Sequence, residues 1–243
     1  LNIYGLSDIG RQRAENQDTF LYEQQDNGLC IFVVCDGMGG AQAGNIASVL
    51  AAQVFMEQVR THAKPQMDEK YTMSVLENAV NYANYEVYRK SLSEKEFQGM
   101  GTTLIGGILM NNNGMLANIG DSRAYSIQGT EAKRLTRDHS LVEEMVDNGE
   151  ITREEARIHP QRNLITRALG TDKQVTADCY SVSLQAGEAL LLCTDGLSGM
   201  LEESELAGIV KEHEDTEICV RAMIDAANSR GGYDNITVLL VRA

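Results

Sequence analysis

Three short apolar runs in this chain close on an aspartate at a turn, and a fourth starts from one. They are Ile31-Phe32-Val33-Val34-Cys35-Asp36-Gly37, Leu116-Ala117-Asn118-Ile119-Gly120-Asp121, Ala189-Leu190-Leu191-Leu192-Cys193-Thr194-Asp195-Gly196 and Gly231-Gly232-Tyr233-Asp234-Asn235-Ile236-Thr237-Val238. Strand-type runs of this kind sit in a core, where an unpaired carboxylate is very costly. Each aspartate must therefore emerge at a strand end. Carboxylates there, beside glycines that let backbone oxygens approach closely, suit a hard divalent cation. Ordinary Asp-Gly turn chemistry explains any one of them. Four together favour a shared task.

The chain has 243 residues, which fits one domain with a substantial core. No apolar run approaches the ~20 residues that a bilayer demands, so no membrane association is expected. The first residues, Leu1-Asn2-Ile3-Tyr4-Gly5, lack a basic region followed by an apolar stretch, so no secretory signal is visible. The missing initial Met implies a fragment or a processed chain. With 35 acidic and 21 basic residues the net charge is −14, which removes the attraction that nucleic-acid binding needs. A phosphorylated substrate remains compatible, because bound metal ions reverse the potential locally. The five cysteines form no Cys-x-x-Cys pair and most lie in apolar runs, as small buried hydrophobes do. The four histidines have no zinc-ligand spacing, and a reduced, cytoplasmic protein is expected.

Patterning predicts strands at Ile3–Ser7, Phe20–Tyr22 and Leu29–Cys35, then helices over Asn45–Val59 and Ser74–Leu92. Two hairpins follow: Thr102–Met110 with Met115–Ile119 across Asn111–Gly114, and Arg123–Ile127 with Ala132–Leu135. The charged, helical Asp138–Pro160 segment reads as an excursion between strands. Further strands are expected at Asn163–Ala168, Val175–Leu184, Ala189–Thr194 and Ile236–Val241, with helices at Glu203–Glu212 and Thr216–Ser229. Successive hairpins and paired helices indicate α+β with antiparallel sheets. Neither a Walker nor a dinucleotide phosphate loop is present.

Six motifs in order then become specific: Arg13-Ala14-Glu15-Asn16-Gln17-Asp18, Asp36-Gly37-Met38-Gly39-Gly40, Met100-Gly101-Thr102-Thr103, Gly120-Asp121-Ser122-Arg123-Ala124, Thr194-Asp195-Gly196-Leu197 and Asp234-Asn235-Ile236-Thr237-Val238. This set resembles the metal-dependent type 2C (PPM) serine/threonine protein phosphatases. Arg162-Asn163-Leu164-Ile165-Thr166-Arg167-Ala168-Leu169-Gly170 is similar to the bacterial branch. The resemblance spans essentially the whole chain. It implies a single catalytic domain over 1–243: a β-sandwich of two antiparallel sheets flanked by helices, with a flap at about 138–160. It also implies two Mn²⁺ or Mg²⁺ ions, Asp36 bridging both, the Gly37 carbonyl on one, and Asp195 and Asp234 on the other. Asp18 would hold water on a metal, and Arg13 would grip the phosphate. Asp121 is implied in a third, weaker site. The physical reading agrees, since paired ions activate water and an arginine fork matches a phosphate.

Each assignment has a plainer competitor. Arg13 would otherwise be a surface cation, Asp121 a turn cap and Thr102-Thr103 ordinary strand. Asn235 either orients the ligands or sets up its turn. Gly199 stands where the family often carries an acidic residue or asparagine, which counts against the third ion. Many relatives place a proton-donating histidine after Asp-Gly-Met-Gly-Gly. Here Ala41 follows, and only His62, His139 or His159 remain to approach in space. The flap would select substrates or merely cover the surface.

The resemblance thus implies hydrolysis of phosphoserine and phosphothreonine in proteins, in opposition to a bacterial Ser/Thr kinase and acting on its substrates, as a monomer. Two alternatives stand beside it: a weakly active regulator that binds phosphoproteins, and a two-metal hydrolase of small phosphoesters or nucleic acid.

Overall fold

The computed structural model describes residues 1–40 and 43–243. The chain opens with β1 (Asn2–Asp8), β2 (Asp18–Gln24) and β3 (Leu29–Met38), then helices α1 (Ala43–His62) and α2 (Glu69–Ser91). Five strands follow: β4 (Gly101–Thr102), β5 (Leu104–Met110), β6 (Asn113–Ile119), β7 (Arg123–Gln128) and β8 (Glu131–Arg134). Short helices α3 (Leu141–Asp147) and α4 (Arg153–Ile158) come next. The chain ends with β9 (Asp178–Ser183), β10 (Ala189–Cys193), α5 (Asp195–Ser198), α6 (Glu203–Glu212), α7 (Thr216–Ser229) and β11 (Ile236–Arg242).

One antiparallel sheet runs β1-β11-β10-β7-β8 and the other β2-β3-β5-β6-β9, with β4 beside β3. The unbroken apolar runs follow from burial on both faces of each sheet. On β3, Ile31, Val33 and Cys35 pack with Ala47, Phe55, Leu76 and Val80 of α1 and α2, whereas Cys30, Phe32 and Val34 face Leu190, Leu192 and Leu239 of the second sheet. Leu191 and Leu240 turn the opposite way, onto Leu206, Val220 and Met223 of α6 and α7. A fully buried side chain of this size contributes ~1.5–3 kcal/mol, so the three apolar layers dominate the stability. The result is the expected sandwich flanked by helices.

Antiparallel pairing also gathers the aspartates. Asp18, which opens β2, lies opposite Asp36 near the end of β3. Cys193, which closes β10, lies opposite Val238 near the start of β11, so Asp195 and Asp234 emerge at one end.

The sequence reading needs two corrections. Asn163–Ala168 forms no strand; that stretch makes one isolated bridge, Ile165 to Ser140, and Leu169 just beyond it bridges to Thr102. With no continuous neighbouring strand, its apolar residues serve other ends: Leu164 is exposed and Ile165 lines a cleft. The first hairpin turns on Asn111 and Asn112 alone, with φ of 48° and 69°, a left-handed backbone that asparagine tolerates.

Candidate active site

The sheet ends open onto a cleft of about 470 Å³, lined among others by Arg13, Gln17, Asp36, Gly37, Thr103, Asp121, Asp195, Asp234 and Asn235. A larger hollow of about 620 Å³ lies between α1 and α2, but its walls include Ile46, Val49 and Leu50 beside scattered charges. Converging carboxylates, not size, mark the first as the site of chemistry.

Asp36 is held through its backbone. Its N–H donates to Thr103 Oγ1 at 2.9 Å, and its carbonyl accepts from the Thr102 hydroxyl and the Thr103 N–H, each at 2.9 Å. Thr103 Oγ1 in turn lies 2.7 Å from Ser122 Oγ. The threonine pair is therefore more than ordinary strand, since its hydroxyls fix a residue 66–67 positions away. Gly37 permits a close approach: a Cβ there would sit 2.1 Å from the Gly44 carbonyl oxygen.

Asp234 accepts from Arg13 Nη2 at 2.6 Å, so the expected phosphate fork rests on a carboxylate of the cleft. Its neighbour Asn235 does more than set up a turn. Its amide donates to the carbonyls of Ile9 and Glu15 at 3.0 and 2.9 Å, and its Oδ1 accepts from Gln17 N–H at 2.9 Å. These bonds clamp the loop that carries Arg13. Sequence reasoning missed this role, since the partners lie over 200 positions away.

Asp18 lies beneath the cleft instead of lining it. Its Oδ2 accepts from the Thr194 and Thr237 hydroxyls at 2.8 and 2.7 Å. Its Oδ1, like Asp195 Oδ1, is buried with no hydrogen-bond partner among the described residues. Asp121 reaches the cleft wall from the turn after β6, where Gly120 has φ of 100°.

Burial and mutual repulsion push these carboxyls up. Asp36 is raised well above its ordinary value by desolvation first, then by the charges of Asp18, Asp195, Asp121 and Asp234. Asp121 is likewise raised by burial and then Asp195, with Arg123 opposing. Desolvation lifts Asp195 to about 6, with Asp234 adding and Arg123 and Arg13 opposing. Asp18 rises to about 7 through burial, against the lowering effect of its two hydroxyl bonds.

None of the four histidines lines the cleft. His139 is buried, accepting from Gly120 N–H at 3.0 Å and lying 3.1 Å from Asp178, and burial lowers its pKa. His62 caps its own helix on Gln58 O, and His159 accepts from Gln161 N–H. The Ala41 position lies outside the described residues.

Crowded carboxylates with bare buried oxygens and raised pKa values fit divalent cations. Among the described residues no three His, Cys, Asp or Glu side chains already stand grouped around a single ion position. Water and backbone carbonyls would therefore have to complete any shell here, as a small hard cation that keeps several waters allows.

The family described as Protein phosphatase 2C matches residues 7–231. The chain is 40% identical over 237 residues to the serine/threonine phosphatase stp of Listeria monocytogenes, covering 97% of this chain and 93% of that one. The structure of the S. agalactiae serine/threonine phosphatase superposes with a TM-score of 0.93 at 33% identity, over 100% of this chain and 99% of that one. The catalytic domain of the phosphatase PstP, solved in complex with two manganese ions, gives 0.85 at 30% identity over 98% and 96%. This chain belongs to the protein phosphatase 2C family. It is an enzyme, a protein phosphatase.

Proposed function

We propose that the chain hydrolyses phosphoserine and phosphothreonine in proteins, with two divalent cations in the cleft between the sheet ends. The observation that carries this reading is the convergence of Asp36, Asp121, Asp195 and Asp234 on one cleft wall, with Asp18 beneath and Arg13 at the rim. Asp36 and the Gly37 carbonyl would hold one ion, and Asp36, Asp195 and Asp234 the other. Asp121 would contribute to a third, weaker site. Two Mn²⁺ or Mg²⁺ ions supply a water of lowered pKa and positive charge against the phosphoryl oxygens. The manganese complex of PstP supports that choice of ion.

The remaining work falls to this chain's own groups. Arg13 offers a planar fork to the phosphate, presented by the loop that Asn235 clamps. Thr102 and Thr103 hold the Asp36 backbone in place. Asp18 steadies the cation end from below. No protein nucleophile is required.

On this reading the chain is one catalytic domain over 1–243, and the 138–160 segment is a flap beside the cleft. Its substrates are the targets of a bacterial Ser/Thr kinase, and the kinase itself. The enzyme acts as a monomer, in the cytoplasm, where reducing conditions keep thiols such as its five free cysteines unpaired.

The test is hydrolysis of a phosphothreonine peptide and an aryl phosphate, with Mn²⁺ and with chelator. Mn²⁺-dependent turnover of both is expected. Full activity in excess chelator defeats the metal mechanism, and tight metal binding without peptide turnover indicates a phosphoprotein-binding regulator.

A further inference from the structure

Asp18 sits inside a closed ring of hydrogen bonds that both sheets contribute to. Its N–H donates to Asn16 Oδ1 at 3.1 Å, and Asn16 Nδ2 donates to Ser7 Oγ at 2.8 Å. Ser7 Oγ lies 2.7 Å from Thr237 Oγ1, and Thr237 donates to Asp18 Oδ2 at 2.7 Å. Thr237 has a single hydroxyl hydrogen, spent on the carboxylate, so Ser7 must be the donor between the two hydroxyls. The direction of every bond around the ring is therefore determined. A second hydroxyl, from Thr194, donates to the same Oδ2 at 2.8 Å and accepts from the Thr237 N–H at 3.0 Å.

The arrangement is one-sided. Both hydroxyls converge on Oδ2, while Oδ1 is buried and without any hydrogen-bond partner among the described residues. Asp18 belongs to β2, whereas Ser7 and Thr237 belong to β1 and β11 of the opposite sheet. The ring thus stitches the two sheets together beneath the cleft and leaves the carboxylate one orientation.

We infer that Thr194, Thr237 and, through Thr237, Ser7 are positioning residues that hold Asp18 with Oδ1 free for the cation site. This rests on the metal reading above and deepens it. The threonines touch no substrate. They spend the orientational freedom of Asp18 in advance, so that a cation, or water on one, meets a carboxylate already aimed. A valine at either position would keep the shape but leave Oδ2 short of a charge-assisted bond. Losing such a bond weakens an interaction by ~10-fold or more.

The test is calorimetric Mn²⁺ affinity in a double-mutant cycle, with no turnover measured. Thr237→Val should weaken Mn²⁺ binding ~10-fold in the otherwise native chain, and Thr237→Ser should restore it. In the Asp18→Asn background the same Thr237→Val change should cost almost nothing, because the group it aims is gone. Native Mn²⁺ affinity in Thr237→Val overturns the inference, as does an equal loss in both backgrounds. Native affinity in Asp18→Asn alone overturns the cation role of Asp18, and the inference falls with it. Should Thr237→Val fail to fold, Ser7→Ala carries the question from the outer link. A severalfold weakening is then expected, and unchanged affinity refutes the ring's role.

Discussion

Asp36 is the residue where the proposed metal site weighs most heavily on the fold. Its carboxyl is buried among four others that all oppose its ionisation. Asp36→Asn replaces a carboxyl whose ionisation the fold opposes with a neutral amide, so the chelated protein should melt at a higher temperature than the native chain. The same substitution should lower phosphatase activity by more than ~100-fold, since even outer partners of a metal cost 10–100-fold. A fall in both quantities would return Asp36 to a structural role. Arg13 behaves differently. Its pair with Asp234 is half-exposed on the arginine side, and such pairs are worth ~0–1 kcal/mol, so Arg13→Ala should leave Mn²⁺ affinity within about fivefold. KM for a phosphopeptide should rise ~10- to 100-fold, as expected for a lost bond to a charged group. Unaltered KM makes Arg13 a surface cation. These residues were legible in the sequence because each stands inside a short motif. The support beneath them was not: the hydroxyls on Asp18 come from residues 176 and 219 positions away, and no local pattern encodes such a meeting.

At the scale of elements, the 138–160 excursion contributes no residue to the three apolar layers and is anchored by ion pairs. Asp138 receives Arg123 at 2.7 Å and Arg134 at 3.3 Å, and Arg134 reaches Glu143 of α3 at 3.3 Å. Glu143 also pairs with Arg153 of α4 at 3.2 Å. Glu143 is buried, with two arginines directed at it. Removing one member of such a set costs ~3–5 kcal/mol where burial is complete, and less for the exposed Arg153. Glu143→Ala should therefore speed backbone hydrogen exchange across 141–158 while β3 and β10 keep their protection. Uniform loss of protection would place Glu143 in the global core. The charged, helical pattern of this excursion was readable, but its anchors on β7 and β8 were not. The next stretch misled for the same reason: Asn163-Leu164-Ile165-Thr166 has strand-like composition, yet strand formation depends on a neighbour to pair with, and the chain supplies only isolated bridges there. Elements that bury both faces, β3, β10 and β11, were the most legible, because their central stretches, 29–35, 189–193 and 238–241, are apolar throughout.

For the whole molecule, the carboxylate cluster should impose a pH dependence on stability that divalent ions abolish. In the absence of metal the folded pKa is about 7 for Asp18 and about 6 for Asp195, against an ordinary 3.8 in the unfolded chain. Between those values the folded state binds more protons than the unfolded state, so stability falls as pH rises. The contribution is fully present below about pH 3.8 and is lost as pH climbs through 6 to 7. Asp36 and Asp121, raised well above 3.8, extend the decline upward. General repulsion under the net charge of −14 also grows with pH, and the Asp18→Asn variant separates the two because it alters the cluster alone. In chelator the melting temperature should accordingly drop from pH 5 to pH 8. With saturating Mn²⁺ the slope should flatten or reverse, because the ions take the place of the protons and bind only the folded state. Asp18→Asn should remove part of the slope in chelator, since one raised carboxyl is gone. A melting temperature in chelator that rises from pH 5 to pH 8, or a slope indifferent to both Mn²⁺ and Asp18→Asn, would mean that the crowded carboxyls are not what titrates.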